Sequence, residues 1–537
     1  MSRDTEQATN VTWSREVVRG TVHGRPSLMY KDRPRRVRDL LIEARRWRER
    51  ELLVQGARRL TFRDHERAVA AVANRLSAYG VGKGDRVLLL GFNSIEWVVT
   101  FWAIQSLGAV AALGNSWWSD NEVDALVRKS ESKLVISDRE IHSAPRITFT
   151  ELRAIVDAGD PAVLPEVYVS EEDPAVIMFS SGTTGAPKGI LKSQRSIIGN
   201  LHNLLAMTRR LPSELTDDHP GTTSLQTVPL FHLAGVQVSC GTLLQGGKLV
   251  LLDGKFDPAD VLRLIETEKV KSWGSIPTMV SRVLDHPALG DFDTSTLSSI
   301  PLGGSPVPAT MRARIEEAFP NVKKRVGSLY GLTETGGLLA AGAGAEIGSH
   351  AGRVGKALPV VELRIADPDE NGVGEILGRT PNVPEGYLGE GPIEDADGWI
   401  RTGDLGRIDD EGYLYVTGRV KEVIIRGGEN IASANIENTL LKHPAVAEAG
   451  VLGLPDDDLG EIVGAVVVPH ADADLPTIEA LTDHCKQLLA RYEIPERWWI
   501  RREQLPMSGI GKMAKRDLGQ QWIDLGAADL VDELSAT

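Results

Sequence analysis

Residues 177–191 read "IMFSSGTTGAPKGIL". The apolar run from Ala175 to Phe179 predicts a buried strand, and it enters a stretch holding two serines, two threonines and three glycines between Ser180 and Gly189. Glycine lets the backbone approach a ligand closely, so that successive N–H groups converge on an anion. The hydroxyls add donors and Lys188 adds charge. The common phosphate loop needs G-x-x-x-x-G-K-[ST]. Here two residues separate Gly182 from Gly185, Pro187 precedes the lysine, and Gly189 follows it. The spacing disfavours an ordinary P-loop NTPase or kinase. A Gly/Ser/Thr-rich surface turn is the competing reading. The preceding strand, the four hydroxyl residues and the lysine together weigh against it.

Outward from this loop the chain alternates. "RVLLLGF" (86–92), "KLVIS" (133–137) and "AVIMF" (175–179) read as buried strands. "TFRDHERAVAAVANRLSAYG" (61–80) opens on a Thr61–Asp64 cap and stops at Gly80. "SQRSIIGNLHNLLAMT" (193–208) reads as a helix with Ile197, Leu201, Leu204 and Leu205 on one side. Such alternation, from Val37 to about Tyr415, predicts α/β layers with helices on the sheet faces. "WVVTFWAIQSLGAVAALG" (97–114) carries no charge for 18 residues, close to the length of a membrane span. Thr100, Gln105 and Ser106 interrupt it and Gly108 is placed to end a helix, so a buried helix followed by a short strand is expected.

The character changes near residue 402. "RTGDLGRIDDEGYLYVTGR" (401–419) reads as two strands joined by the turn "DDEG". Helical "SANIENTLLKHP" and "TIEALTDHCKQLLARY" then alternate with strand-like "AVAEAGVLGL" and "EIVGAVVVPH". The expected organisation is an N-terminal arm over residues 1–36, a large multi-sheet α/β domain over 37–420, and a small α+β domain over 421–537.

The chain of 537 residues has a net charge of −14, which argues against general nucleic-acid or anionic-membrane binding. Its two cysteines, Cys240 and Cys485, lie far apart with no Cys/His cluster, so neither a disulfide framework nor a zinc site is expected. The start, "MSRDTEQATNVTWSREVV", is polar and has no signal-peptide core. A cytoplasmic enzyme without stable membrane insertion is the expectation; a homodimer is compatible with it.

"SSGTTGAPKG" resembles the signature loop of the adenylate-forming superfamily, which includes acyl-CoA synthetases (AMP-dependent synthetases and ligases), peptide-synthetase adenylation domains and beetle luciferases. Six further segments resemble that family in order: "PLFHLAG" (229–235), "LGGSPVP" (302–308), "SLYGLTETGG" (328–337), "GWIRTGDLG" (398–406), "GRVKEVIIRGGENI" (418–431) and "PMSGIGK" (506–512). The match runs from about residue 40 to about residue 520.

The resemblance implies two half-reactions. A carboxylate attacks the α-phosphate of ATP to give acyl-AMP and pyrophosphate, and the thiol of coenzyme A then displaces AMP. It places Ser180, Ser181, Gly182, Thr183, Thr184, Gly185 and Lys188 on the β- and γ-phosphates. Gly303, Gly304, Ser305, Gly331 and Thr333 belong to the nucleotide side, and Tyr330 stacks on adenine. Asp404 accepts from the ribose hydroxyls with Arg419 beside it. Glu334 binds magnesium, with Thr183 nearby. Lys512 is the catalytic lysine, bridging carboxylate and α-phosphate. His232 sits at the acyl pocket, where Val236 and Trp273 either shape the pocket or pack in the core. Lys421 is the hinge about which the small domain moves, and Gly427 and Gly428 line the thiol tunnel. Taken singly, Glu334 also reads as a solvated loop acid, Tyr330 and His232 as core residues, Asp404 as a turn residue and Lys512 as a surface lysine.

Two positions depart from the family pattern. Lys515 stands where arginine is common, and "GNSWWSDNE" (114–122) replaces a segment that commonly contains proline. Trp117 and Trp118 there either cap a pocket or pack. The resulting expectation is an acyl-CoA synthetase for a fatty or related hydrophobic acid. The alternative is an adenylating enzyme that loads a separate carrier protein. A nucleotide-binding protein without ligase activity and a light-emitting oxygenase stand further back.

Overall fold

The computed structural model describes residues 12–180, 188–303, 307, 309–322, 326–348, 350, 352–427, 429–470, 473–507 and 513–531. Among these residues the strands form five sheets. The strand that enters the phosphate loop, Pro174–Ser180, lies inside a seven-stranded sheet. On one side it pairs in parallel with Val110–Gly114, which is followed by Arg86–Leu90, Leu134–Ile136 and Arg146–Ile147. On the other side it pairs antiparallel with Lys188–Ser193, and the edge is the short strand Gly386–Tyr387. A five-stranded sheet runs Ser272–Gly274, Thr223–Gln226, Lys248–Leu251, Glu51–Gln55 and Arg58–Thr61.

The helices around these sheets follow local rules. Thr61 and Asp64 form the expected capping box on helix Phe62–Ala78. The uncharged stretch becomes helix Ile95–Ser106, buried at every position, and strand Val110–Gly114. Its Gln105 side chain donates to the Ala175 carbonyl at 2.9 Å, tying it to the strand before the phosphate loop. Among the described residues no helix is long and apolar enough to cross a membrane.

Two expectations need correction. Helix Gln194–Met207 is not buried on one side alone, because Gln194, Arg195, Asn200, His202 and Asn203 are buried too. The cover comes from the N-terminal arm, which forms a hairpin of Val17–Val22 and Arg25–Tyr30. Tyr30 donates its hydroxyl to Asn203 Oδ1 at 3.0 Å and stacks on His202 at 3.9 Å. The polar residues are buried because they are paired, not because they are apolar. Second, the helix–strand alternation stops at Val326 rather than near Tyr415. The segment from there to Arg419 supplies seven strands of an eight-stranded, mostly antiparallel sheet, which Ile300–Gly303 joins at its edge; the order is Ile300–Gly303, Val326–Leu332, Gly337–Ala343, Arg353–Ala357, Tyr413–Arg419, Ile400–Ile408, Gly374–Arg379 and Glu362–Ala366. Glycine-rich strands such as "GLLAAGA" have low strand preference of their own, so pairing decides them.

The last sheet is built from Val423 onward, around strands Val446–Asp456 and Gly460–Pro469 with helices Ser433–Leu440 and Ile478–Leu488. Its core includes Ile436, Leu440, Val451, Val463, Leu481 and Trp498. The architecture is α/β with several sheets in a large N-terminal part and a small α+β C-terminal part.

Candidate active site

The hairpin of Pro174–Ser180 and Lys188–Ser193 closes on the register pair Ser180–Lys188. Of the expected phosphate contacts, Ser181, Gly182, Thr183, Thr184 and Gly185 lie outside the described residues, as do Gly304, Ser305, Gly428 and Lys512. At the base of the loop the Lys188 ammonium lies 3.2 Å from Glu390 and 4.7 Å from the centre of the Tyr387 ring. Tyr387 is there because its strand pairs with Ile190 and Leu191. Burial, and then the charges of Glu334 and Glu390, push its phenol up to about 12, so it stays protonated. Glu334, 146 positions beyond Lys188 in sequence, is close enough for its charge to act on Tyr387.

Glu334 sits in the turn between strands Val326–Leu332 and Gly337–Ala343. The turn is tightly backed. A Cβ on Gly331 would meet the Gly337 carbonyl oxygen at 2.2 Å, and one on Gly336, at φ +75°, would meet the Asn382 carbonyl oxygen at 1.7 Å. Only glycine admits these approaches. Leu338 donates its N–H to Asn200 Oδ1 at 2.9 Å, and Lys192 donates to the Thr333 carbonyl at 2.8 Å. Among the described residues Glu334 has no ion-pair partner, which suits a metal held by one carboxylate and phosphate oxygens. The described trio of metal-capable side chains, His23, Glu172 and Glu385, lies elsewhere, and the Arg195 guanidinium already pairs with its two carboxylates.

Tyr330, Asp404 and Arg419 converge. The Tyr330 hydroxyl donates to Asp404 Oδ2 at 2.9 Å, and Arg419 Nε lies 2.9 Å from Asp404 Oδ1. Asp404 and Arg419 face each other as register partners on adjacent strands. Burial, with the charge of Asp404, raises the Tyr330 phenol, keeping it a donor. Gly303 ends its strand opposite Leu329, one residue from Tyr330. The Asp404–Arg419 pair meets strand Val326–Leu332 at Tyr330, and Glu334 stands in the turn that follows that strand.

His232 caps helix Leu233–Leu244 and packs against Phe231, ring centres 4.5 Å apart. Trp117 meets Phe231 edge-on at 5.9 Å and Phe92 at 5.4 Å, while Trp118 packs on Phe179 at 5.3 Å. Trp117 is 52% exposed and Phe92 47%, so this aromatic group is open to solvent. Trp273 and Val236 are core residues; the Trp273 indole donates to Thr227 Oγ1 at 3.0 Å. In the small part, Lys421 lies in the turn Val420–Glu422 and Gly427 turns at φ +55°. A Met507–Met513 bridge brings together the residues flanking 508–512.

Sequence reasoning missed Lys192, Tyr387 and Glu390. Lys192 had a signal: a lysine at alternating spacing from Lys188 and Ile190 in an otherwise apolar strand must be buried or break the pattern. Tyr387 and Glu390 had none, since pairing alone brings them in.

Residues 41–388 match the family model for AMP-binding enzymes, and residues 435–512 match the model for the AMP-binding enzyme C-terminal domain. The feruloyl-CoA synthase of Amycolatopsis sp is 33% identical over 483 residues, covering 87% of this chain and 95% of that one. The indoleacetate–CoA ligase of Aromatoleum aromaticum is 34% identical over 483 residues, 84% of this chain and 91% of that one. The o-succinylbenzoate CoA synthetase of Bacillus subtilis, solved with its acyl-adenylate intermediate, superposes with a TM-score of 0.76 at 29% identity, covering 89% of this chain and 97% of that one. The same enzyme has been solved with ATP and a magnesium ion. With both family models matched, the chain belongs to the AMP-binding enzyme family, within the adenylate-forming superfamily.

Proposed function

We propose that this protein is an AMP-forming acid–thiol ligase that activates a hydrophobic carboxylic acid bearing an aromatic ring and passes it to coenzyme A. The observation that carries the ligase reading is the convergence of Tyr330, Asp404 and Arg419, from three separate segments, on one carboxylate. A carboxylate with one buried donor and one cation beside it is suited to accept from the two hydroxyls of a ribose.

In the first half-reaction a carboxylate oxygen of the acid bonds to the α-phosphorus of ATP, and the bond to the β-phosphate oxygen breaks, releasing pyrophosphate. An anion approaches an anion, so charge must be stabilised where it develops. Glu334 would hold a magnesium ion, which when bound would neutralise charge on the phosphate oxygens. Lys188 and the hydroxyls and N–H groups of residues 180–185 hold the departing pyrophosphate. Lys512 draws the acid carboxylate to the α-phosphate, and Thr333, Gly303, Gly304, Ser305 and Gly331 border the nucleotide. In the second half-reaction the thiol sulfur of coenzyme A bonds to the acyl carbon, the thiol proton is lost, and the acyl–phosphate C–O bond breaks to release AMP. Rotation about Lys421 exchanges the Lys512 loop for Gly427 and Gly428, whose missing side chains leave room for pantetheine.

The aromatic substrate class is supported by the half-exposed Phe92 and Trp117 next to the Phe231–His232 segment, where an aryl group can stack edge-on. The related feruloyl, indoleacetate and succinylbenzoate enzymes act on ring-bearing acids. The test is carboxylate-dependent ATP–pyrophosphate exchange over a panel of aryl-propenoic, aryl-acetic and straight-chain acids, followed by mass detection of the product with and without coenzyme A. Aryl acids should exchange fastest and give acyl-CoA. Preference for straight-chain acids would overturn the substrate class. Acyl-AMP that never passes to coenzyme A would point to a carrier protein as acceptor.

A further inference from the structure

Lys192 is wholly buried, yet its ammonium has a single described hydrogen-bond partner, the Thr333 carbonyl at 2.8 Å. An ammonium taken out of water loses far more solvation than one carbonyl returns. Burial pulls its pKa down to about 7, with the Glu334 charge acting in the opposite direction. The fold does not need this charge to shape the turn. The Thr333 carbonyl already accepts the Gly336 N–H at 3.2 Å. Thr335 Oγ1 accepts the Leu332 N–H at 3.0 Å and donates to the Gly337 carbonyl at 2.7 Å. Asn200 holds Leu338, and Asn382 packs under Gly336. A leucine or methionine at residue 192 would fill the same space without the desolvation cost. What the lysine adds is an ammonium behind Thr333 whose proton a nearby anion favours, in a low-dielectric interior where charges act over longer distances.

Resting on the nucleotide reading above, we propose that Lys192 is a positioning residue for the ATP phosphates. Its ammonium, borne on the strand that carries Lys188, donates to the Thr333 carbonyl and biases the field at the Thr333–Glu334 turn toward an anionic, metal-bound polyphosphate. It touches the turn rather than the ligand. One strand thus serves the phosphates with an exposed lysine at its start and a buried one near its end.

The test is calorimetric titration of MgATP into the full chain without acid, comparing wild type with Lys192→Met and Lys192→Gln. Lys192→Met should weaken MgATP about tenfold, a field effect of a nearby buried charge. Its Tm without nucleotide should be equal or higher, because an under-compensated charge has gone. KM for ATP should rise while kcat at saturating ATP and KM for the acid stay within about twofold, as loss of uniform binding requires. The MgATP affinity of Lys192→Gln, which keeps a donor but not the charge, should stay low. An unchanged MgATP Kd in a folded Lys192→Met protein overturns the proposal. If that variant does not fold, an unchanged Kd in Lys192→Gln does the same. A chain that activates no acid, but whose MgATP affinity depends on Lys192, would break the ligase reading and leave this one standing.

Discussion

Among the described residues, Lys192 in the large part is wholly buried and Lys515 in the small part is half-buried, and their surroundings are opposite. Lys192 in the large part has one carbonyl. Lys515 in the small part has Glu422 at 2.8 Å, Glu437 at 2.7 Å and Ser433 Oγ at 3.0 Å. Burial works against the charge of both. At Lys192 it wins and the pKa falls to about 7. At Lys515 the charges of Glu437 and Glu422 outweigh it and the pKa is raised. A buried cation with two carboxylates is an anchor; one with a carbonyl is a charge held ready for something else. The anchor also has a location that matters. Glu422 adjoins the expected hinge residue Lys421, and Lys515 is three residues beyond Lys512, so the Lys515–Glu422 pair joins the start of helix Lys515–Asp524 to the turn Val420–Glu422.

The largest effect lies next to the anchor. Lys512→Ala should abolish pyrophosphate exchange by about 10³-fold or more, as removal of a group stabilising transition-state charge does, while thioester formation from supplied acyl-AMP continues. Equal loss of both half-reactions would remove Lys512 from its role. Next, Lys515→Met should destabilise the small part by ~3–5 kcal/mol, because it leaves Glu437 and Glu422 without their cation. Chemical denaturation followed by tryptophan fluorescence measures it, and Lys515→Arg should restore most of the loss. If Lys515→Met were as stable as wild type, the contrast with Lys192 would collapse.

Asp404→Asn tests a third arrangement, a buried carboxylate between a phenol and a guanidinium. Nucleotide affinity should fall by about 1.5–3 kcal/mol, the range for hydrogen bonds to a charged group, read as AMP binding by calorimetry. A stability loss with no affinity loss would make Asp404 structural. The smallest effect concerns His23, a cation at the surface between Glu385 and Glu394, each 3.0 Å away. Its hydrogen bonds to Glu385 and then Glu394 raise its pKa from 6.5 to about 9. A raised histidine contributes stability that is full below pH 6.5 and is lost as pH climbs through about 9. His23→Gln should therefore flatten the fall in Tm across that window, and a slope identical to wild type would discount the pair.

Legibility in the sequence followed the range of the forces involved. The capping box at Thr61 and Asp64, the buried helix over 95–106 and the strand into the phosphate loop depend on neighbours a few residues away, and they were read correctly. Of the eight-stranded sheet only the Ile400–Ile408 and Tyr413–Arg419 hairpin was legible; strands such as Arg353–Ala357 and Gly374–Arg379 are fixed by partners far along the chain. The same division applies to the site. Tyr330, Asp404 and Arg419 were recognisable by segment, whereas Tyr387 and Glu390 became neighbours of Lys188 through one edge-strand pairing.

By itself the sequence determined the chemistry on offer: a glycine- and hydroxyl-rich loop after a buried strand, a Thr-Glu turn, an aspartate in a β-hairpin and a late lysine, all in an order that fits adenylyl transfer. Only the tertiary structure decided which charges are compensated. It gave Lys515 two carboxylates and Lys192 a lone carbonyl, and it set Glu334 beside Tyr387. The physical reason is that a side chain's charge belongs to its sequence, while the cost of keeping that charge depends on burial and on partners that only folding brings within reach.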